Sequence, residues 1–131
     1  MRVQEKLRKT GKINLSFPEP GIAEIRIAKG CYIQVEDVKM LEDAIEEATG
    51  GSPCCNLIIA EDFATTSFQV LKYMGSEEAN RLTIADAFIL HSLPQRILAR
   101  FYVNVVSPVR PTKFYGANEK GDAIRWLKSF L

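Results

Sequence analysis

Residues 54–60, CCNLIIA, form a continuous apolar run bounded by Pro53 and by the acidic pair Glu61–Asp62. An apolar run of strand length without alternation reads as a strand that is dry on both faces. Such a strand must lie inside a sheet and be covered by further elements, and this narrows the fold more than any other feature of the chain.

The flanking patterns supply those elements. In KINLSF, residues 12–17, Ile13, Leu15 and Phe17 point one way. The PEPG that follows is a turn. IAEIRIAKG, residues 22–30, sets Ala23, Ile25 and Ile27 against Glu24 and Arg26, so the two runs predict a hairpin with one wet face. The period then becomes helical. Val35, Val38, Leu41, Ile45 and Ala48 share one face, and Gly50–Gly51 ends the helix. Its other face carries Glu36, Asp37, Glu42, Asp43, Glu46 and Glu47, either a solvated surface or an acidic docking patch.

After the apolar run, Phe68, Leu71 and Met74 predict a short helix stopped at Gly75, and IADAFILHS, residues 84–92, the next strand. Ser92 and Gln95 match a capping box with Pro94 in the first turn. The helix they open, 93–106, carries the stripe Leu93, Ile97, Phe101 and Val105, widened by Leu98 and Tyr102. TKFYG, residues 112–116, is a strand, and Ala123, Trp126, Leu127 and Phe130 mark a last helix. The order ββαβαβαβα is that of a single α/β domain over 1–131, with a mixed sheet and right-handed crossovers. Residues 1–11 read as a flexible piece.

Composition excludes several function classes. The chain has 131 residues and a formal net charge of +1, which gives no global electrostatic case for nucleic acid. No stretch approaches the roughly 18 apolar residues of a membrane span, and the basic amino terminus lacks the apolar stretch of a signal peptide. Three cysteines, Cys31, Cys54 and Cys55, read as reduced thiols of a cytoplasmic protein. The one histidine, His91, leaves no two-histidine zinc motif. Walker, GxGxxG and GxSxG motifs are missing, so the residues predict no enzyme, no metal and no cofactor.

Three features remain. Thr65, Thr66 and Ser67 follow the central strand, where they cap a helix or place a phosphorylated hydroxyl on the same amides. His91, at a strand–helix junction, is a hydrogen-bonded structural residue or a ligand. The segment 96–113 mixes Arg96, Arg100, Arg110 and Lys113 with aromatics, a pattern that serves the core or an RNA or anionic lipid surface. The helix 93–106 is apolar around its circumference, so it is heavily covered, pairs in a dimer, or lines a lipid-facing pocket. In the last case Leu93, Ile97, Phe101 and Val105 line that pocket with help from Met74 and Trp126.

The stretches GCYIQVEDVKMLEDAIEEA, NLIIAEDF, EEANRLTIADAFILHSLPQRILARFYVNVVSPVRPTKFYG and AIRWLKSFL resemble the small bacterial SpoIIAA-like proteins. These are relatives of STAS domains, the anti-sigma-factor antagonists, and more distantly of CRAL-TRIO lipid-binding domains. The resemblance covers roughly residues 12–131. It implies a four- to five-stranded sheet with helices packed mainly on one side, and no assigned enzyme activity. In the anti-sigma-factor antagonists a serine at the start of the helix after the central strand is phosphorylated by a partner kinase. The matching place is Thr66–Ser67, but the family's aspartate and glycine are replaced here, with Phe68 following directly.

Two functions follow as expectations. The first is a non-enzymatic regulatory or protein-interaction module, with a protein partner or a second copy docking near Thr66–Ser67 and a neighbouring helix face. The second is a small carrier holding an apolar molecule or lipid under the helix 93–106.

Overall fold

A computed structural model describes residues 2–131. β1 (Ile13–Glu19) and β2 (Ile22–Ile27) form the antiparallel hairpin implied by their alternation, and Gly21 at its tip adopts φ +81°. A residue with a Cβ is strained there, which is why glycine follows the proline. β2 pairs in parallel with β4 (Cys54–Ala60), β4 with β6 (Thr83–Leu90), and β6 with β7 (Thr112–Gly116). The sheet order is β1-β2-β4-β6-β7, with the apolar run 54–60 at its centre. β3 (Tyr32–Ile33) and β5 (Thr65–Thr66) pair in parallel as a separate two-stranded ribbon.

The central strand is dry on both faces because each parity meets its own core. Cys54 and Ile58 join Ile13, Ile25, Val38, Leu71, Phe88 and Tyr102 on one side. Cys55, Leu57 and Ile59 join Ile22, Ile89, Ala123 and Leu127 on the other. The first core is covered by α1 (Val3–Lys9), α2 (Val35–Thr49), α3 (Phe68–Met74) and α4 (Leu93–Phe101). Among the described residues, only α5 (Lys120–Lys128) covers the second. The molecule therefore has the mixed five-stranded sheet with helices mainly on one side that the sequence implies.

The amino-terminal segment departs from expectation. Val3–Lys9 is helical rather than flexible; Met1 lies outside the described residues. Leu7 is only 2 % exposed in the first core, and the Val3 amide donates to Glu47 Oε2 at 3.2 Å. One buried leucine, worth about 2 kcal/mol, anchors the turn. A single Val3–Leu7 pair is too short a period to announce a helix in sequence.

α2 opens on a reciprocal cap. The Gln34 amide donates to Asp37 Oδ2 at 2.8 Å, and Lys12 Nζ pairs with the same oxygen at 3.0 Å. The chain leaves α2 through Gly50 at φ +67°, as its glycine pair predicts. α4 differs from the single helix 93–106. It ends at Phe101, and Tyr102–Val106 continues as one widened π turn in which the Ser107 amide donates to the Tyr102 carbonyl at 3.0 Å. Such single turns are a recurrent way to absorb one extra residue in a helix.

Candidate functional site

The hydroxyl cluster after the central strand is divided between two elements. A turn, Glu61–Ala64, separates it from β4. Thr65 is exposed and pairs with Tyr32 in the ribbon, while Thr66 Oγ1 donates to the Ile33 carbonyl at 2.6 Å. Ser67 alone caps α3, its Oγ accepting from the Val70 amide at 3.2 Å. The expected trio at one helix start is thereby corrected to a single cap. The reason is tertiary: β3 lies alongside and recruits Thr65 and Thr66 as strand residues.

His91 and Gln95 tie the strand ends together. The His91 ring is 2.6 Å from the Ala60 carbonyl through Nδ1, and because a carbonyl only accepts, Nδ1 carries the proton. Gln95 is 5 % exposed. Its Oε1 accepts from the His91 amide at 2.7 Å and the Ser92 amide at 3.3 Å. Its Nε2 donates to the carbonyls of Glu61 at 2.7 Å and Ala64 at 3.0 Å. Every polar valence of this amide is used to join the loop after β4 to the loop after β6.

The residues expected to line a pocket under 93–106 do not converge. Leu93, Ile97 and Val105 are 68 %, 58 % and 66 % exposed. Phe101 is half-buried and stacks on Phe68, with ring centroids 4.2 Å apart. Trp126 packs with the second core, across the sheet, against Phe130. The inward row of α4 is instead Gln95, Leu98, Ala99 and Tyr102. At about 100° per residue, Leu93 and Ile97 fall on the opposite side of the helix. Periodicity chose the more apolar row. The fold chose the row that contains Gln95, because the loop carbonyls need its amide.

A cavity does lie between the sheet and the helices, and it has two compartments. One, of about 120 Å³, is almost wholly apolar and is walled by Ile33, Leu71, Leu90, Leu98, Ala99 and Phe114. The other, of about 130 Å³, is bounded by Asn56, Asn80, Thr83, Asp86 and Glu42. Both touch Ile25, Val38, Ile58, Met74, Phe88 and Tyr102, so they meet along a common wall.

The polar compartment is built on the two central strands. Asn56 and Asp86 are register partners and face the same side as Ile58 and Phe88. Asn56 Nδ2 donates to Asp86 Oδ1 at 2.9 Å and to Thr83 Oγ1 at 3.2 Å. Asp86 Oδ2 receives no hydrogen bond among the described residues. Burial pushes the Asp86 carboxyl up from 3.8 to about 6, against the opposing pulls of the Asn56 amide and the Arg110 guanidinium. Across the compartment, Tyr73 donates its hydroxyl to Glu42 Oε1 at 2.9 Å, and Glu42 Oε2 is buried with no partner. Burial raises Glu42 from 4.5 to about 7, helped by Asp43 and Glu78 and opposed by the tyrosine bond and Lys39. The signal for this pair stood in the sequence as Asn56 and Asp86, polar residues inside otherwise apolar strands, and its weight was missed there.

The cysteines are free, with Cys54 and Cys55 buried and Cys31 half-buried. Burial pushes the Cys54 thiol up to about 11 and the Cys55 thiol above its ordinary value, which disfavours the thiolate in both. Among the described residues no helix is long and apolar enough to cross a membrane, and no cluster of three or more metal-ligating side chains is formed.

The parallel sheet, its antiparallel edge hairpin and the four-against-one helix arrangement define a SpoIIAA-like α/β domain. The crystal structure of an uncharacterized protein of the DUF3478 family with a SpoIIAA-like fold, from Shewanella loihica PV-4, matches with a TM-score of 0.54 at 17% identity, covering 88% of this chain and 91% of that one. The chain belongs to the family described as Domain of unknown function (DUF7793), whose model matches residues 17–131. No curated protein matches the sequence.

Proposed function

We propose that the chain is a non-enzymatic protein-interaction module whose docking surface is the outward face of α4 together with the start of α3. The observation that carries this reading is the exposure of Leu93, Ile97 and Phe68, at 68 %, 58 % and 54 %, with Phe68 stacked on Phe101 to join the two helices into one apolar surface. Exposed contiguous apolar side chains with a polar rim mark interaction sites. The rim here is basic: Arg96 and Arg100 are exposed on α4, which has no acid, and Lys72 is exposed on α3. The partner that fits is a protein segment with apolar anchors flanked by carboxylates. The likeness of the sequence to anti-sigma-factor antagonists, which act through protein contacts, supports a regulatory setting for this surface.

Two synthetic amphipathic helical peptides test the reading by fluorescence anisotropy, identical on the apolar face and flanked by Glu in one and Lys in the other. The Glu-flanked peptide binds more tightly, with an affinity that falls as salt rises, and Leu93→Glu with Ile97→Glu abolishes the binding. Equal binding of both peptides, or binding that survives the double substitution, overturns it. Concentration-dependent dimerisation abolished by the same pair assigns the surface to a second copy instead.

A further inference from the structure

We infer that the two-compartment cavity beneath α2 and α4 binds a small neutral phenol or alcohol of one ring, its hydroxyl bridging Tyr102 Oη and Asp86 Oδ2 and its ring in the apolar compartment. This site is separate from the surface proposed above, since the inward and outward rows of α4 lie on opposite sides of the helix.

Two buried side chains carry it. Tyr102 and Asp86 are 2 % and 6 % exposed and border the same compartment. Among the described residues, neither Tyr102 Oη nor Asp86 Oδ2 has a hydrogen-bond partner. Neither is sealed off as Glu42 Oε2 is, so both open onto the cavity. Buried polar atoms are nearly always paired, so each calls for a partner held in that space.

The fold sets the two groups near each other without joining them. The Tyr102 ring meets Phe88 edge-on, with centroids 5.9 Å apart. Phe88 and Asp86 are successive residues on this face of β6, about 7 Å apart along the strand. Asp86 is also the charged neighbour that acts on the Tyr102 hydroxyl; burial first, then that carboxylate, holds the phenol protonated. One group is therefore a donor and the other an acceptor. A hydroxyl between them accepts from Tyr102 and donates to Asp86. An ammonium only donates and leaves the tyrosine proton without an acceptor. A carboxylate only accepts and meets the Asp86 charge.

The apolar compartment sets the body of the ligand. Ile33, Leu71, Leu98 and Phe114 wall it, and the polar side chains of Thr66 and Gln95 beside them are already bonded. Thr65 borders it as well, but Thr65 is exposed, so its hydroxyl is left to solvent where the compartment reaches the surface. Tyr102 belongs to both compartments, which puts its hydroxyl where a ring in one meets the polar side of the other. A cavity of about 150 Å³ accepts a benzene-sized molecule. The apolar compartment, of about 120 Å³ and adjoining the polar one, suits a single ring.

The test uses the full chain at pH 7 with phenol and toluene, which match in heavy-atom count and exchange a hydroxyl for a methyl. Calorimetry gives the affinities, and the Phe88 and Leu98 amide resonances locate the ligand. Phenol binds about tenfold more tightly than toluene, the size of one charge-assisted hydrogen bond. Toluene is the more apolar, so a cavity that offers no hydrogen bond reverses this order. Tyr102→Phe removes only the hydroxyl; it lowers phenol affinity about tenfold and leaves toluene within about twofold. Asp86→Asn is the second variant, on a different element. It turns the open acceptor into a donor, keeps the Asn56 bond, and gives the same pattern. Leu93→Glu with Ile97→Glu leaves phenol affinity within about twofold, which separates the cavity from the outward surface. Toluene binding as tightly as phenol, no phenol binding at millimolar concentration, or phenol affinity unchanged in a folded Tyr102→Phe or Asp86→Asn overturns the inference. Loss of phenol binding with the outward pair overturns it too.

Discussion

The Asn56 amide donates to Asp86 Oδ1 at 2.9 Å across the two central strands, in the middle of a face that is otherwise apolar. A carboxyl placed there is held between two costs: ionising it in a poor solvent, or leaving one oxygen without a donor. Its consequences are measurable.

Stability depends on pH through this group. The Asp86 carboxyl is raised in the folded protein from 3.8 to about 6, so the folded state holds its proton where the unfolded chain has lost it. Its favourable contribution is fully present below the unfolded value and is lost as pH rises through about 6. Two units correspond to about 3 kcal/mol at most. Asp86→Asn therefore gains stability above pH 6 and flattens the slope of urea-unfolding free energy between pH 4 and 6. Glu42→Gln flattens it further toward pH 7, by less, because Glu42 is only partly buried. A slope identical in wild type and Asp86→Asn contradicts the assignment.

Gln95→Ala removes the amide that bonds both the 61–64 turn and the start of α4. Two carbonyls and two amides lose a partner, and the expected loss is about 2–4 kcal/mol. Hydrogen exchange at His91 and Ser92 accelerates with it. Exchange unchanged at both amides shows that water replaces the side chain without cost.

The two rows of α4 respond differently. Leu93→Glu and Ile97→Glu, on the exposed row, leave folding stability within about 0.5 kcal/mol. Tyr102→Ala, at 2 % exposure, costs about 3–5 kcal/mol. Chemical denaturation of the three variants checks the rotation of the helix, and a large loss from Ile97→Glu reverses it.

Gly75 lies under the π turn. A Cβ added there comes within 2.6 Å of Val106 Cγ1 and 3.3 Å of Pro108 Cα. Gly75→Ala is expected to destabilise by about 1–3 kcal/mol through overpacking. Val106→Ala in the same background recovers part of the loss, since the nearest clash is with that side chain. Additive losses in the double variant remove the steric explanation.

Local pattern sufficed for the element types. The run 54–60, apolar but for Asn56, announced a strand buried on both faces, the alternation in 22–27 announced a hairpin strand, and Ser92 with Gln95 announced the start of a helix, because each depends on neighbours a few residues apart. The sequence alone therefore determined the α/β class, the place of the central strand and the glycine-terminated helix. The tertiary structure decided which row of α4 faces inward, that Thr65 and Thr66 join a ribbon with Tyr32 and Ile33, and that Trp126 lies across the sheet from the cavity. It also set Asp86 and Glu42 on one cavity, though they lie 44 positions apart along the chain. Periodicity reports how apolar each side of an element is; which side is buried depends on the hydrogen bonds and volumes of its distant neighbours, and those exist only once the chain has folded.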